Sequence, residues 1–301
     1  MFLTWAVSPA SRNQRGAEPF DALRRIGQIE AVLGPLANTA GEGGLVEPLN
    51  ESIARRVDQL LAPIADADGH FVRPLRWHKR NPFKADVRLR NWLMWNIARD
   101  CGLRVGEMLS LRVDDFPMVR GDRCLRVVRR PDAKEDVRKK RPAVKTAERA
   151  VPMSEHGQFA LRAYLTERPP LGRRSGTVYL FTSRRDRPLS ANAADRVTKV
   201  VSMAIEARVH WHAVRHAWAT DIARGVLLEA LSGERSAGDA EAQKALLTEN
   251  LRVLGGWSDE SKMPMYYARV AIKEYADAKL RVRQNERVSR MLKRTQLDEP
   301  L

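Results

Sequence analysis

The chain has 301 residues, 44% of them apolar, enough for one large domain or two ordinary ones around a real core. Lysine and arginine outnumber aspartate and glutamate by 53 to 37, for a net charge of +16 and a pI near 10.4, which favours a polyanionic partner, nucleic acid above all. No apolar run approaches the roughly 18 residues that span a bilayer, which argues against a membrane role, and the two cysteines, Cys101 and Cys124, argue against a disulfide framework and fit a reducing cytoplasm.

The start, Met1 to Val7, is apolar but has no basic residue before it and makes a poor signal peptide. Residues 2–7 read as the end of an amphipathic helix, stopped by Ser8-Pro9-Ala10-Ser11. A second helix is expected from Phe20 to about Leu33, and Gly34 to Gly44, rich in Gly, Ala and Pro, reads as a linker. Apolar residues at every third or fourth position predict a helix from Leu49 to about Ile64. His70 to Phe83 is basic and irregular, with Arg73, Arg76, His78, Lys79 and Arg80. Val87 to Asp100 is a helix with Leu89, Trp92, Leu93, Trp95 and Ile97 on its apolar side, and Gly102 stands where a left-handed cap belongs. Arg104 then falls in a tight turn before a helix that begins over Glu107 to Leu111.

Arg123 to Arg130 and Arg149 to Met153 are strand-like. Between them Pro131 to Lys145 carries Lys134, Arg138, Lys139, Lys140, Arg141 and Lys145, a run that reads as a solvated or disordered loop in its free state and is compatible with ordering on DNA. Helices follow over Ser154 to about Arg168 and Ser190 to about Arg208, each opened by its serine as N-cap, and over Trp211 to Arg224. Gly233 to Asp239 is a polar insertion, a further helix runs to Leu254, and Gly255-Gly256 breaks it. A helix with two tyrosines extends to about Tyr275, and a basic tail from Lys279 to Arg294 is also helical. The expected fold class is mainly α with a small antiparallel β-sheet (α+β). Trp92, Trp95 and Trp218 are expected in the core.

On a helix His212 and His216, four apart, share one face with Arg215 beside them, a grouping of imidazole and guanidinium suited to a phosphate. With His210 nearby a zinc site is the rival reading, but a histidine pair at this spacing is a weak metal signal without a third ligand and an acid partner, and no metal is expected.

The blocks Gly102-Leu103-Arg104-Val105-Gly106-Glu107, Lys145 to Pro152, His212 to Thr220, Leu254-Gly255-Gly256-Trp257-Ser258 and Tyr266-Tyr267-Ala268-Arg269 occur in order. In that order and rough spacing they resemble the catalytic half of the tyrosine recombinase (phage integrase) family, from about Pro48 to Lys279. The resemblance implies a site-specific recombinase of mobile elements that works on double-stranded DNA. A tyrosine hydroxyl attacks the phosphodiester, leaving a 3′-phosphotyrosyl link and a free 5′-hydroxyl. The bond energy is kept in that link, so neither ATP, a metal nor any other cofactor is implied. Arg104 and Arg215 would hold the non-bridging oxygens, where charge builds. His212 would act as general base or phosphate ligand. Lys145, four residues before Arg149 and its Val151-Pro152, matches the lysine that protonates the leaving oxygen, with Lys134, Lys139 and Lys140 as competitors. Trp257 takes a position that is His in most members and Trp in some; it donates one hydrogen bond and transfers no proton. Glu107 and His216 take supporting roles, orienting Arg104 and bracing the site. Lys134, Arg138, Lys139, Lys140 and Arg141 are expected to contact DNA. Spacing from Trp257 selects Tyr266 as nucleophile; the local pattern selects Tyr267, the preferred assignment.

The same resemblance divides the chain into residues 1–44, a remnant of the family's helical core-binding domain plus linker; residues 45–278, the catalytic domain; and residues 279–301, a basic helical tail. Too few residues precede the linker for a complete core-binding domain. A homo-oligomer on DNA, a tetramer in the family, and a cytoplasmic, nucleoid-associated location are implied. The alternatives are a DNA-binding protein without turnover and a type IB topoisomerase-like relaxation by the same chemistry.

Overall fold

The structure, a computed structural model, describes residues 48–116, 124–142, 144–167, 177–232 and 240–297. The helices and linker expected before Pro48, and the insertion Gly233 to Asp239, lie outside the described residues. The described chain is mainly helical with one two-stranded antiparallel sheet, and it groups into two units. The first takes the described residues up to Ala219 together with Arg252–Asp259; the second takes Thr220 to Leu251 and the chain from Glu260 onward. Among the described residues no helix is long and apolar enough to cross a membrane.

In the first unit, helix α1 (Glu51–Leu61) opens at Asn50, whose side-chain oxygen accepts from the Ser52 N–H at 2.8 Å. Ala54, Val57 and Leu61 form its buried face, at the spacing one helical stripe requires. Helix α2 (Ala85–Cys101) buries more than a stripe: Leu89, Trp92, Leu93, Met94, Trp95, Ile97 and Ala98 are all inside. A helix apolar on most sides needs neighbours on most sides. Here α4 (Glu155–Glu167) is the chief one, with α1, the short α3 (Val105–Ser110) and strand β2 (Arg149–Pro152) also packed on it. The three tryptophans expected in the core are there.

Helix α2 ends at Gly102, which has φ +57°, and the Trp218 ring lies 2.1 Å from where a Cβ would stand. Only glycine satisfies both the left-handed backbone and the close indole. Strand β1 (Cys124–Val127) pairs with β2 in the register Leu125 to Val151 and Val127 to Arg149. The alternation of a strand puts Arg149 on the same face as the buried Val151. Ser154 caps α4, accepting the Gly157 N–H at 3.0 Å, and Ser190 caps α5 (Ala191–Ile205), accepting the Ala193 N–H at 3.3 Å.

Helix α6 (Trp211–Ser232) opens in the first unit and runs past Arg224, where the sequence pattern ends it. His210 caps it: its Nδ1 accepts from the Ala213 N–H at 3.2 Å. Helix α7 (Ala240–Gly255) ends at Gly256, with φ +63°. In the second unit, Arg224 of α6 joins Glu274 of α8 at 2.7 Å and Asp221 at 2.5 Å. Helix α8 (Met263–Leu297) is one element of 35 residues, so the tyrosine helix and the basic tail are not separate helices. No glycine or proline follows Pro264 within it, and Pro264 sits in the first turn, where the missing N–H costs nothing.

Candidate active site

The site grows from Glu107, third residue of α3, whose side chain is wholly buried. Its Oε2 accepts the Arg104 backbone N–H at 2.8 Å, closing the first turn of α3 around the residue ahead of it. A buried carboxylate requires counter-charges. Arg149 supplies the closest, with Nη2 on Oε2 at 3.0 Å and Nη1 on Oε1 at 3.3 Å, a two-pronged pairing. The Thr146 hydroxyl donates to Oε1. Arg215 and Arg104 stand further off: Arg215 Nη1 is 3.7 Å from Oε2 and Arg104 Nη1 is 3.8 Å from Oε1. Burial pushes the Glu107 carboxyl up, but the Arg149 charge and hydrogen bonds, the Arg215 charge and the Thr146 hydroxyl outweigh it, and the group is held below its ordinary value.

Arg215 is 2% exposed. Its guanidinium is fixed by main-chain carbonyls from two breaks in the chain, donating to Gly102 O at 2.5 Å and to Gly255 O at 2.7 Å. Its Cζ lies 4.8 Å from the centre of the Trp257 ring, a cation–π contact made by the buried indole. The turn that presents these groups is itself held by the sheet: Arg149 Nε donates to Leu254 O at 2.8 Å, and the Ala147 N–H donates to Gly256 O at 3.2 Å.

His212 and His216 face one another as their spacing implies, Nε2 to Nε2 at 2.9 Å, with rings 4.3 Å apart and nearly perpendicular. One ring donates and the other accepts, so the pair cannot carry a proton on both facing nitrogens. Burial, then the neighbouring His212, Arg215 and His210, pushes His216 down to about 4. Burial, then Arg215, His210 and Arg104, also lowers the exposed His212. At neutral pH both rings are uncharged, the form in which an imidazole accepts a proton.

The structure therefore brings together Arg104, Glu107, Arg215, His216, His212 and Trp257, which the sequence pattern singles out, with Arg149 and Thr146, to which it assigns no role. A signal for Arg149 was present: an arginine two residues before a core valine in a strand points inward and requires a buried acid. Lys145 adjoins Thr146 and is exposed, as are Lys134, Lys139, Lys140 and Arg141. Arg138 departs from the expectation of a DNA contact. Its side chain is 6% exposed, donates to Asp136, Leu109 O and Leu189 O, and lies 4.5 Å from the centre of the Tyr179 ring. It anchors the basic loop to the core, because its fixed fork finds main-chain and carboxylate oxygens inside.

The tyrosines belong to the second unit, in the first turns of α8. Their rings are 5.4 Å apart at 72°. Tyr267 is 1% exposed; Tyr266 is half-buried, and burial pushes its phenol up.

The sequence model of the phage integrase family matches residues 78–229, just over half of the chain. The chain belongs to the phage integrase family. The match contains Arg104, Glu107, Lys145, Arg149, His212, Arg215 and His216; Trp257 and both tyrosines follow it. Solved structures of family enzymes are similar to this phage integrase relative at low identity. The XerA recombinase is 17% identical, with 80% of this chain and 65% of that one covered and a TM-score of 0.49. The XerH site-specific recombinase bound to palindromic difH substrate is 18% identical over 71% of this chain and 54% of that one, with a TM-score of 0.42. The Tn1549 transposon integrase in complex with circular intermediate DNA is 16% identical over 78% and 64%, with a TM-score of 0.41. The chain spans less than two thirds of the length of each of these three. No curated protein sequence matches it.

Proposed function

We propose that this phage integrase family member is a site-specific recombinase that cuts and rejoins double-stranded DNA through a 3′-phosphotyrosine. The observation that carries the reading is the cluster in which Arg104 and the buried Arg215 stand 3.8 and 3.7 Å from the buried Glu107, beside a neutral histidine pair. In the proposed reaction a phosphodiester oxygen pair binds the two guanidinium groups, and fixed donors stabilise the charge of the five-coordinate transition state without reorganising. The Tyr267 hydroxyl attacks phosphorus, its proton passing to His212 or to solvent. The P–O5′ bond breaks, and Lys145 gives the leaving oxygen its proton. Trp257 holds the Arg215 face and transfers nothing. Tyr266 is the alternative nucleophile: adjacent helical residues point about 100° apart, so only one of the two can attack. Lys134, Lys139, Lys140 and Arg141 contact the DNA backbone, which gives affinity without base readout.

We further infer that residues 45–278 form the catalytic domain, preceded in residues 1–44 by core-binding sequence and a linker. Residues 279–301, whose described part continues α8 to Leu297, serve assembly of a homo-oligomer on DNA in the bacterial cytoplasm.

The test is a labelled duplex from the sequence flanking its own gene, nicked near the crossover so that cleavage traps the adduct. Wild type is expected to give a denaturant-resistant protein–DNA band. Tyr267→Phe is expected to abolish it, and Tyr266→Phe to keep it. Arg215→Ala is expected to slow it by about 10²–10³, the usual effect of deleting one preorganised donor. Loss in Tyr266→Phe alone reassigns the nucleophile. An adduct that survives the double Phe variant sinks the phosphotyrosine reading, and tight binding with no adduct leaves a DNA-binding protein without turnover.

A further inference from the structure

We propose that Arg149 is a positioning residue that occupies the Glu107 carboxylate, so that Arg104 and Arg215 stay at phosphate-binding positions and do not close onto that acid. The proposal rests on the reading of the cluster as a phosphate site. Its basis is a difference in distance: Arg149 makes two hydrogen bonds to Glu107 at 3.0 and 3.3 Å, whereas Arg215 and Arg104 stop at 3.7 and 3.8 Å. A buried carboxylate attracts every cation in reach, and the attraction is strong where water is excluded. With the two-pronged partner in place, the pull on the other two is reduced.

Arg149 is well held for this. Its side chain is 4% exposed, Nε donates to Leu254 O at 2.8 Å and Nη1 donates to Thr146 Oγ1 at 3.0 Å. Gly256, with φ +63°, would place a Cβ 2.6 Å from Arg149 Nη1, so the turn is shaped around this guanidinium. The same turn offers Gly255 O to Arg215. Arg149 thus touches two of the supports of Arg215, the acid and the turn, without being one of the groups assigned to the phosphate. Lysine cannot reproduce the set, since an ammonium has neither the fork nor the reach to carboxylate, hydroxyl and carbonyl together.

Among the described residues, the charged and titratable groups facing Glu107 are Arg104, Arg149 and Arg215, with the His212–His216 pair beside Arg215. If Arg149 acts by occupying the acid, removing the acid's charge compensates for its loss. Arg149→Met is expected to lower the rate of adduct formation on the nicked duplex about 100-fold, like the loss of a preorganised donor. The double variant Arg149→Met/Glu107→Gln is expected to regain at least about tenfold of this, because neither remaining arginine then has a bare carboxylate to close on. A plain structural brace gives the opposite pattern: a double variant as poor as the single or poorer. That result overturns the proposal.

If Arg149→Met does not fold, Arg149→Lys takes its place, with the same rescue expected from Glu107→Gln. Binding of a fluorescein-labelled duplex of the same sequence gives a second readout that needs no cleavage. An inactive wild type defeats the recombinase reading, while the Arg149 proposal then stands or falls on whether the second substitution restores the affinity that the first removes.

Discussion

At the scale of single residues, two buried ionisable centres make stability depend on pH in one direction. The unfolded chain binds protons at its histidines near 6.5, whereas folded His216 resists until about 4. The unfolded state therefore holds more protons below 6.5, and stability falls as pH drops through that window. His212 shifts the same way, and Glu107, with its depressed carboxyl, adds a further loss lower still, below the ordinary carboxylate value. His216 alone is expected to remove about 2 kcal/mol between pH 7.5 and pH 5. Urea titrations at the two pH values check this, and His216→Gln is expected to lose most of the difference. The residue types at this site were legible in the sequence because local spacing brings the histidines together: four residues apart on α6, they bond to each other. Which groups Arg149 and Arg138 would bond to was not legible. Their partners Glu107, Leu254, Leu109 and Leu189 lie 29 to 105 residues away in the chain, and only the folded backbone brings them into reach.

At the scale of elements, boundaries with a chemical marker were legible. Gly102 ends α2, Ser154 and Ser190 open α4 and α5, and Gly256 follows α7, each because a cap or a positive φ needs that residue type. Boundaries drawn on composition were not. The split between Tyr275 and Lys279 follows a change from mixed to basic sequence, but charge does not stop a helix, and α8 continues to Leu297. From Asp277 to Met291 every residue of α8 is exposed, Leu280, Val282, Val288 and Met291 among them. Ending the chain before Lys279 is therefore expected to move the melting temperature by no more than about 2 °C, since exposed positions contribute little to folding. Calorimetry checks this, and a larger drop means that the tail packs on its own protomer in solution.

At the scale of the molecule, the net charge of +16 is unevenly committed. Arg138, Arg149 and Arg215 are spent inside, on carboxylates and carbonyls, while Lys134, Lys139, Lys140, Arg141 and Lys145 face solvent. The second group, with Arg215 at the phosphate that is cut, is expected to release counterions from DNA, whereas Arg138 and Arg149 are not. Replacing Lys139, Lys140 and Arg141 by alanine is expected to flatten the dependence of log affinity on log salt by about 0.9 for each phosphate that the variant leaves without its cation. Arg138→Met is expected to leave that slope unchanged and to lower the melting temperature. Fluorescence anisotropy over a salt series, with a melting curve for each variant, separates the two classes.

The end of α7 offers Leu254 O to Arg149, Gly255 O to Arg215 and Gly256 O to the Ala147 N–H, three successive carbonyls that a helix terminus leaves without internal partners. Carbonyls of the main chain belong to every amino acid alike. The side chains at these three positions take no part in the bonds that anchor the arginines, and the constraint falls on backbone shape at a pair of glycines. Through its main chain alone, this turn fixes the position of the most deeply buried arginine among the described residues.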